Sequence, residues 1–436
     1  MIYKKINCII IGAGLSGLST AYHLNSNYIV LEKDKGCGGT AGTLYHKEFK
    51  LDKAVHILYF RDPSIRTFIS KELGLQLLER VRDSRVYIKG RQIPFPLQYN
   101  LSGLPLVSKA KIALTIFYKL LLRKRKIIVN NFEEWAVKNF GKELYKLFFN
   151  PYNRKLWGIE LNQLKLEWMD QLIPKVSFEL FMKGLIRKND HEYGFNSIFY
   201  YPEQGGITSV SKKIAEKLTD INYCVVIDKI EQDRKLVFLK DGTIIKYNYL
   251  VNTSPLKNFI SYLSDDKKEL LQFSSKLKST CTNVAHLLFN QSICNDGGMH
   301  WLYVPDPQKN FYRITFPRNI CKANCPTGKF AMTIEFGGKI IDYKLEENLL
   351  IRNLIEMKLI DEKNPDYEII WDQIPVSYVI YDSEMTKAKN HLHSYLNSKN
   401  IFSIGRYGSW EYSNMESAIL QGIKTAELIN SFNGKK

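Results

Sequence analysis

The chain has no CxxC pair, no internal repeat, no low-complexity tract and no apolar run long enough to span a bilayer. Each absence removes a class of protein. The seven cysteines (Cys8, Cys37, Cys224, Cys281, Cys294, Cys321 and Cys325) are odd in number and dispersed, so they outline neither a disulfide framework nor a zinc site. A cytoplasmic protein without a metal centre is expected. Acidic residues are in short supply, 44 against 62 Lys and Arg, which leaves a net charge of +18. That balance favours anionic partners. No nucleic-acid module accompanies it, and the basic residues are scattered apart from KLLLRKRK at 119–126, so nucleic acid is not expected. The opening MIYKKINCIIIGAG imitates a leader peptide, but its apolar run is short and enters a glycine turn, as a buried parallel strand would. LPLVSKAKIALTIFYKLLLRKRK (104–126) is interrupted by lysines and reads as an amphipathic helix packed on the protein. Peripheral membrane contact is the minor alternative there.

What is present points to a nucleotide. At 436 residues, 45% hydrophobic and 24% charged, the chain is globular and large enough for two or three domains. INCIIIGAGLSGLSTAYHLNSNYIVLEK reads as strand, glycine turn, helix and strand. Gly12 allows the tight turn, Gly14 lets backbone approach a pyrophosphate, and Gly17 lets helix and strand pack closely. Leu15 and Ser16 open the helix, whose unpaired N–H groups and positive dipole end face the phosphates. Glu32, with Lys33 beside it, ends the second strand 15 residues after Gly17, where a carboxylate can accept from a ribose. KGCGGTAGT (35–43) adds a second turn through Gly38, Gly39 and Thr40, as in many flavoproteins, which favours FAD over NAD. Cys37 departs from the residues usual in that turn. NIFSIGRYGSWEYSNMESAILQGIKTAELI (400–429) reads as strand, glycine turn and helix: either an ordinary strand–loop–helix unit or, as in many FAD domains, a distant segment that closes the FAD site through Gly405, Arg406, Asn414, Met415 and Ser417.

Beyond these boxes come His56, IPFPLQYNL (93–101), FEEWAVKNFGKELYKLFFNPYNRKLW (132–157), GFNSIFYYPEQGGI (194–207), WLYVPDPQKNFYR (301–313) and GRYGSWEY (405–412). In that order they resemble the UDP-galactopyranose mutases of bacteria and fungi. The FAD boxes belong to a wider superfamily of amine and protoporphyrinogen oxidases. The resemblance implies a reduced flavin that attacks an anomeric carbon while the nucleoside diphosphate leaves, and a sugar that recloses through another hydroxyl without net redox change. It implies a nucleotide-sugar substrate such as UDP-galactose, an electron donor such as NAD(P)H or a reductase, and a place in surface polysaccharide assembly.

Carried over by position, the resemblance places His56 beside the flavin. Gln98, Tyr152, Asn153, Trp157, Asn196 and Tyr303 line the nucleotide-sugar pocket. Arg313 binds diphosphate with its planar fork, and Tyr381, Arg406 and Tyr412 hold phosphate and sugar near the flavin. Each has a plain structural alternative: Trp157 and Tyr303 as core aromatics, Asn153 and Asn196 as turn residues, Arg406 in an ion pair, His56 as a satisfied core group. The departures are Leu172 in place of a second diphosphate arginine, Ala54-Val55 in place of a glycine pair, and Ile320 in place of a tyrosine. Lys183, Arg187 or Lys188 could compensate for Leu172. An amine- or protoporphyrinogen-type FAD oxidoreductase is the alternative activity.

The expected fold is α/β. A Rossmann-like FAD-binding domain of the glutathione reductase type takes 1–90, 200–275 and 395–436. A helical substrate domain takes 105–195, and an antiparallel-sheet substrate domain takes 276–394.

Overall fold

The structure, a computed structural model, describes residues 3–121, 128–169, 178–186, 197–290, 296–338, 342–362 and 366–434. The apolar opening segment forms the strand Tyr3–Ile11, with Cys8, Ile9 and Ile10 wholly buried. It pairs in parallel with Ile244–Asn252 on one side and Tyr28–Leu31 on the other. Burial on both faces explains an unbroken apolar run instead of an alternating one. Ile221–Asn222 extends the sheet beyond Tyr28–Leu31, and Ile401–Ser403 pairs with the end of Ile244–Asn252. Leu236–Leu239 and Ile227–Glu231 add an antiparallel edge. The helices Leu15–His23 and Met415–Asn433 pack on this sheet and on each other, and Ser19 Oγ donates to the Ile419 carbonyl at 2.9 Å. The two ends of the chain therefore share one layer.

A second sheet runs in the order Tyr367–Ile374, Thr282–Phe289, Phe330–Gly337, Phe311–Thr315, Trp301–Tyr303, Ser84–Ile88, Arg91–Pro94. The hairpin Ser84–Pro94 thus belongs to this sheet, and the boundary expected at residue 90 falls inside it. Thr282–Phe289 and Phe330–Gly337 are buried nearly throughout instead of having one wet face. The helix Tyr343–Glu356 covers one side through Leu350 and Leu354. On the other, ladder neighbours Tyr303, Arg313 and Glu335 stand in one row.

The helical layer holds Leu106–Leu121, Phe132–Phe140, Asn150–Trp157 and Phe178–Ile186. A π-helical turn, Tyr145–Phe149, precedes Pro151. The wider turn accommodates a proline ring, which lacks an N–H and would clash with the carbonyl one turn back. The chain therefore stays helical through NPYNRKLW until Gly158, in the left-handed region at φ 64°. Among the described residues, no helix is long and apolar enough to cross a membrane.

Candidate active site

The flavin end is built from backbone. Gly12 adopts φ 101°, and a Cβ there would meet Thr253 Oγ1 at 2.4 Å. A Cβ on Gly17 would lie 2.1 Å from the Gly12 carbonyl oxygen, so helix and turn touch directly. A Cβ on Gly14 would meet nothing within 4 Å. That open space lies where Gly14 begins the helix Leu15–His23, at donors with no side-chain cap. Gly38 donates from its amide to the Ala13 carbonyl at 2.9 Å and closes the second turn; Gly39 has φ 59°. Thr40 is half-buried and Lys33 exposed at the rim. Glu32 is buried, and its two oxygens accept from the Ala13 and Asp34 amides at 2.7 and 2.9 Å. Each oxygen keeps a lone pair for a ribose hydroxyl. Cys37 bonds through its side chain with Tyr223, and burial raises its thiol pKa. Asn414 caps the helix Met415–Asn433 by accepting from the Ser417 amide at 2.8 Å. An open cradle, a helix N-terminus and a buried ribose acid together fit a dinucleotide.

Beside it is a hollow lined by long side chains. His56, Tyr152, Tyr303, Arg313, Tyr378, Arg406 and Tyr412 all keep some accessible surface, yet Tyr152, Arg313, Tyr378 and Arg406 are enclosed by protein. Arg406 lies 4.8 Å from the Tyr412 ring centre and 5.2 Å from that of Tyr378, two rings stacked 5.9 Å apart. Its guanidinium donates to the Ser377 carbonyl at 2.9 and 3.3 Å and to the Ser413 carbonyl at 2.8 Å. No carboxylate among the described residues pairs with it. Gly405, at φ 76°, lets this turn approach so closely that a Cβ would meet Ser16 Oγ at 2.5 Å. Arg406 is thereby anchored against the flavin helix.

Arg313 differs. Its Nε and Nη2 donate to the Glu335 carboxylate at 2.8 and 2.5 Å. Glu335 is 1% exposed and also accepts from the Tyr312 hydroxyl at 3.0 Å. The fork that the resemblance assigned to diphosphate is thus taken up by a carboxylate, and the pair brings no net charge. His56 holds its proton on Nδ1, 3.0 Å from the Ala54 carbonyl. Desolvation pulls its pKa down to about 4, opposed by the Ala54 hydrogen bond and assisted by the Arg406 charge. The ring is neutral at physiological pH.

In the helix Asn150–Trp157 the hollow receives Tyr152, set edge-on to Tyr303 at 5.5 Å and to Tyr312 at 6.2 Å. Asn153 is buried and donates to the Phe149 carbonyl at 2.8 Å. Trp157 is wholly buried against Trp168 and Tyr378, with its indole N–H unpaired. Lys155 donates to the Val304, Asp306 and Phe311 carbonyls at 2.9, 2.5 and 3.0 Å, tying this helix to the loop between the Tyr303 and Arg313 strands. Gln98 is buried in the turn Leu97–Tyr99. Tyr381 is a prop: its hydroxyl accepts from the Tyr412 amide at 2.6 Å. Asn196, Leu172, Arg187 and Lys188 lie outside the described residues. Lys183 pairs with Glu179 on its own helix surface. Sequence reasoning passed over Tyr378, Glu335, Tyr312 and Lys155. An acid inside the apolar strand KFAMTIEF was the readable signal, because a buried carboxylate requires a partner.

A glycine-rich dinucleotide cradle, faced by partly accessible tyrosines and arginines from a second sheet, fits a flavin-binding enzyme. The description "flavin containing amine oxidoreductase" matches residues 15–430, so the chain belongs to that family of flavin-dependent enzymes, with FAD as its cofactor. Over 180 residues it is 25% identical to the dTDP-fucopyranose mutase of Escherichia coli, a match covering 39% of this chain and 47% of that protein. The chain therefore matches about half the length of this relative. Its fold is that of a reduced UDP-galactopyranose mutase crystal structure, with TM-score 0.90, 23% identity and coverage of 98% and 96% of the two chains. A putrescine oxidase variant gives TM-score 0.69 at 13% identity, covering 98% of this chain and 100% of that one.

Proposed function

We propose that the protein is a flavin-dependent nucleotide-sugar mutase that interconverts pyranose and furanose forms, serves cell-surface polysaccharide synthesis and is kept active by an electron donor such as NAD(P)H or a reductase. The observation that carries this reading is Arg406, an enclosed guanidinium held by carbonyl oxygens and tyrosine rings, with no carboxylate among the described residues to neutralise it. Such a group retains its full charge and attracts an anion, here the diphosphate of the substrate. Tyr152, Tyr303, Tyr378 and Tyr412 then orient the sugar through hydroxyls on rigid rings. His56 stays neutral, with its proton on Nδ1, and adds no charge beside the cofactor. Reduced FAD, when bound, supplies the nucleophile for the anomeric carbon.

The Arg313–Glu335 pair favours a second reading. It leaves Arg406 as the one uncompensated cation among the lining residues described, and a tyrosine-walled hollow also suits an amine oxidised by FAD. The experiment uses holoprotein reduced chemically and kept free of oxygen. Conversion of UDP-galactopyranose or dTDP-fucopyranose to the furanose, absent with oxidised protein, supports the mutase. In a parallel assay, peroxide formed by the oxidised holoprotein in air, in proportion to a consumed amine, replaces it with the oxidase.

A further inference from the structure

The segment from residue 106 to residue 117 supplies none of the active-site side chains named above. Its helix, Leu106–Leu121, buries Ser108 and Ile112 against the protein, and Lys89 Nζ donates to Ser108 Oγ at 2.9 Å. The opposite side is apolar and open: Leu106 is 78% exposed, Val107 67%, Leu114 68% and Phe117 62%, with Ala110 exposed among them. At about 100° per residue these five share one arc of about 100°. Lys109 and Lys111 fall on either flank of that arc, and the sequence continues into RKRK at 123–126.

A solvated helix has no reason to direct this many large apolar side chains at water. An apolar stripe bordered by lysines is instead the pattern of a helix lying in a lipid interface, where apolar groups enter the acyl boundary and ammonium groups reach the headgroups. The net charge of +18 draws the whole molecule to an anionic surface. A second copy of the chain fits less well, because its face would bring the same lysines against these.

We infer that the helix Leu106–Leu121 docks the enzyme onto an anionic phospholipid leaflet through its Leu106, Val107, Leu114 and Phe117 face. The test is co-sedimentation of holoprotein with phosphatidylcholine vesicles, with and without phosphatidylglycerol. Binding to the anionic vesicles, reversed by salt, is expected. Leu114→Gln/Phe117→Gln preserves charge and flavin spectrum and should bind at least ten-fold more weakly, because two apolar anchors are lost. Lys109→Gln and Lys111→Gln should each cost about five-fold. Failure of the wild type to bind anionic vesicles overturns the proposal, as does equal binding by the Leu114/Phe117 variant. Self-association in solution that this variant abolishes would also overturn it and assign the face to a second copy.

Discussion

At the glycine turn that suits a flavin diphosphate, the protein offers amide groups and open space: Gly14 has nothing within 4 Å of its missing side chain, and the helix Leu15–His23 starts there. Across the hollow the materials are reversed. Tyr152, Tyr303, Arg313, Tyr378, Arg406 and Tyr412 come from segments scattered between residues 150 and 412, and each contributes a long side chain. A phosphate bound by backbone depends on local geometry, which a short motif dictates. A site built from side chains depends on how distant strands and helices meet.

That contrast predicts how each region fails. Glu335→Gln should have the largest effect: it leaves the Arg313 guanidinium enclosed without its carboxylate and should cost roughly 3–5 kcal/mol, read as a lowered denaturation midpoint. Nucleoside diphosphates should then stabilise the variant more than the wild type, since Arg313 becomes free to bind them. Gly17→Ala pushes a methyl against the Gly12 carbonyl and should cost about 2–4 kcal/mol, with FAD lost on purification. If Gly17→Ala keeps its flavin while Glu335→Gln loses it, the comparison is broken.

The same contrast explains what the sequence disclosed. The GxGxxG turn and the strand that ends at Glu32 are contiguous signals, each with a local physical cause, and the structure carries the strand, turn and helix they describe. The cross-strand neighbours Arg313 and Glu335 stand 22 residues apart in sequence, and their pairing is set by register that no short motif records. Tyr378 and Tyr381 lie three apart in SYVIY; packing alone turns Tyr378 toward Arg406 and uses Tyr381 to brace Tyr412. The hairpin Ser84–Pro94 reads as a continuation of the first domain because its parallel partner, Trp301–Tyr303, is more than 200 residues away.

Smaller effects sharpen the picture. His56 has a folded pKa of about 4 against an ordinary 6.5, so between those values the unfolded chain binds more protons and stability falls as pH drops from 6.5 to 4. Asp52, raised by burial to about 6, opposes part of that slope because its neutral form is the one the fold prefers. A comparison of wild type with His56→Gln isolates the histidine; the variant should lose about 2 kcal/mol less across this window. Lys155→Met removes three hydrogen bonds between the Asn150–Trp157 helix and the loop before the Arg313 strand, offset by relief of a buried charge. A net loss of about 1–2 kcal/mol is expected. A rise in substrate KM with kcat nearly unchanged would mark it as a positioning residue.

The central claim, an unneutralised guanidinium waiting for a diphosphate beside the flavin, is tested most directly by titrating UDP and dTDP into FAD-loaded wild type and Arg406→Ala, followed by flavin absorbance. Loss of a charge-assisted bond in an enclosed site predicts binding weakened about a hundred-fold in the variant with its flavin retained. Equal affinity in the two proteins would contradict it.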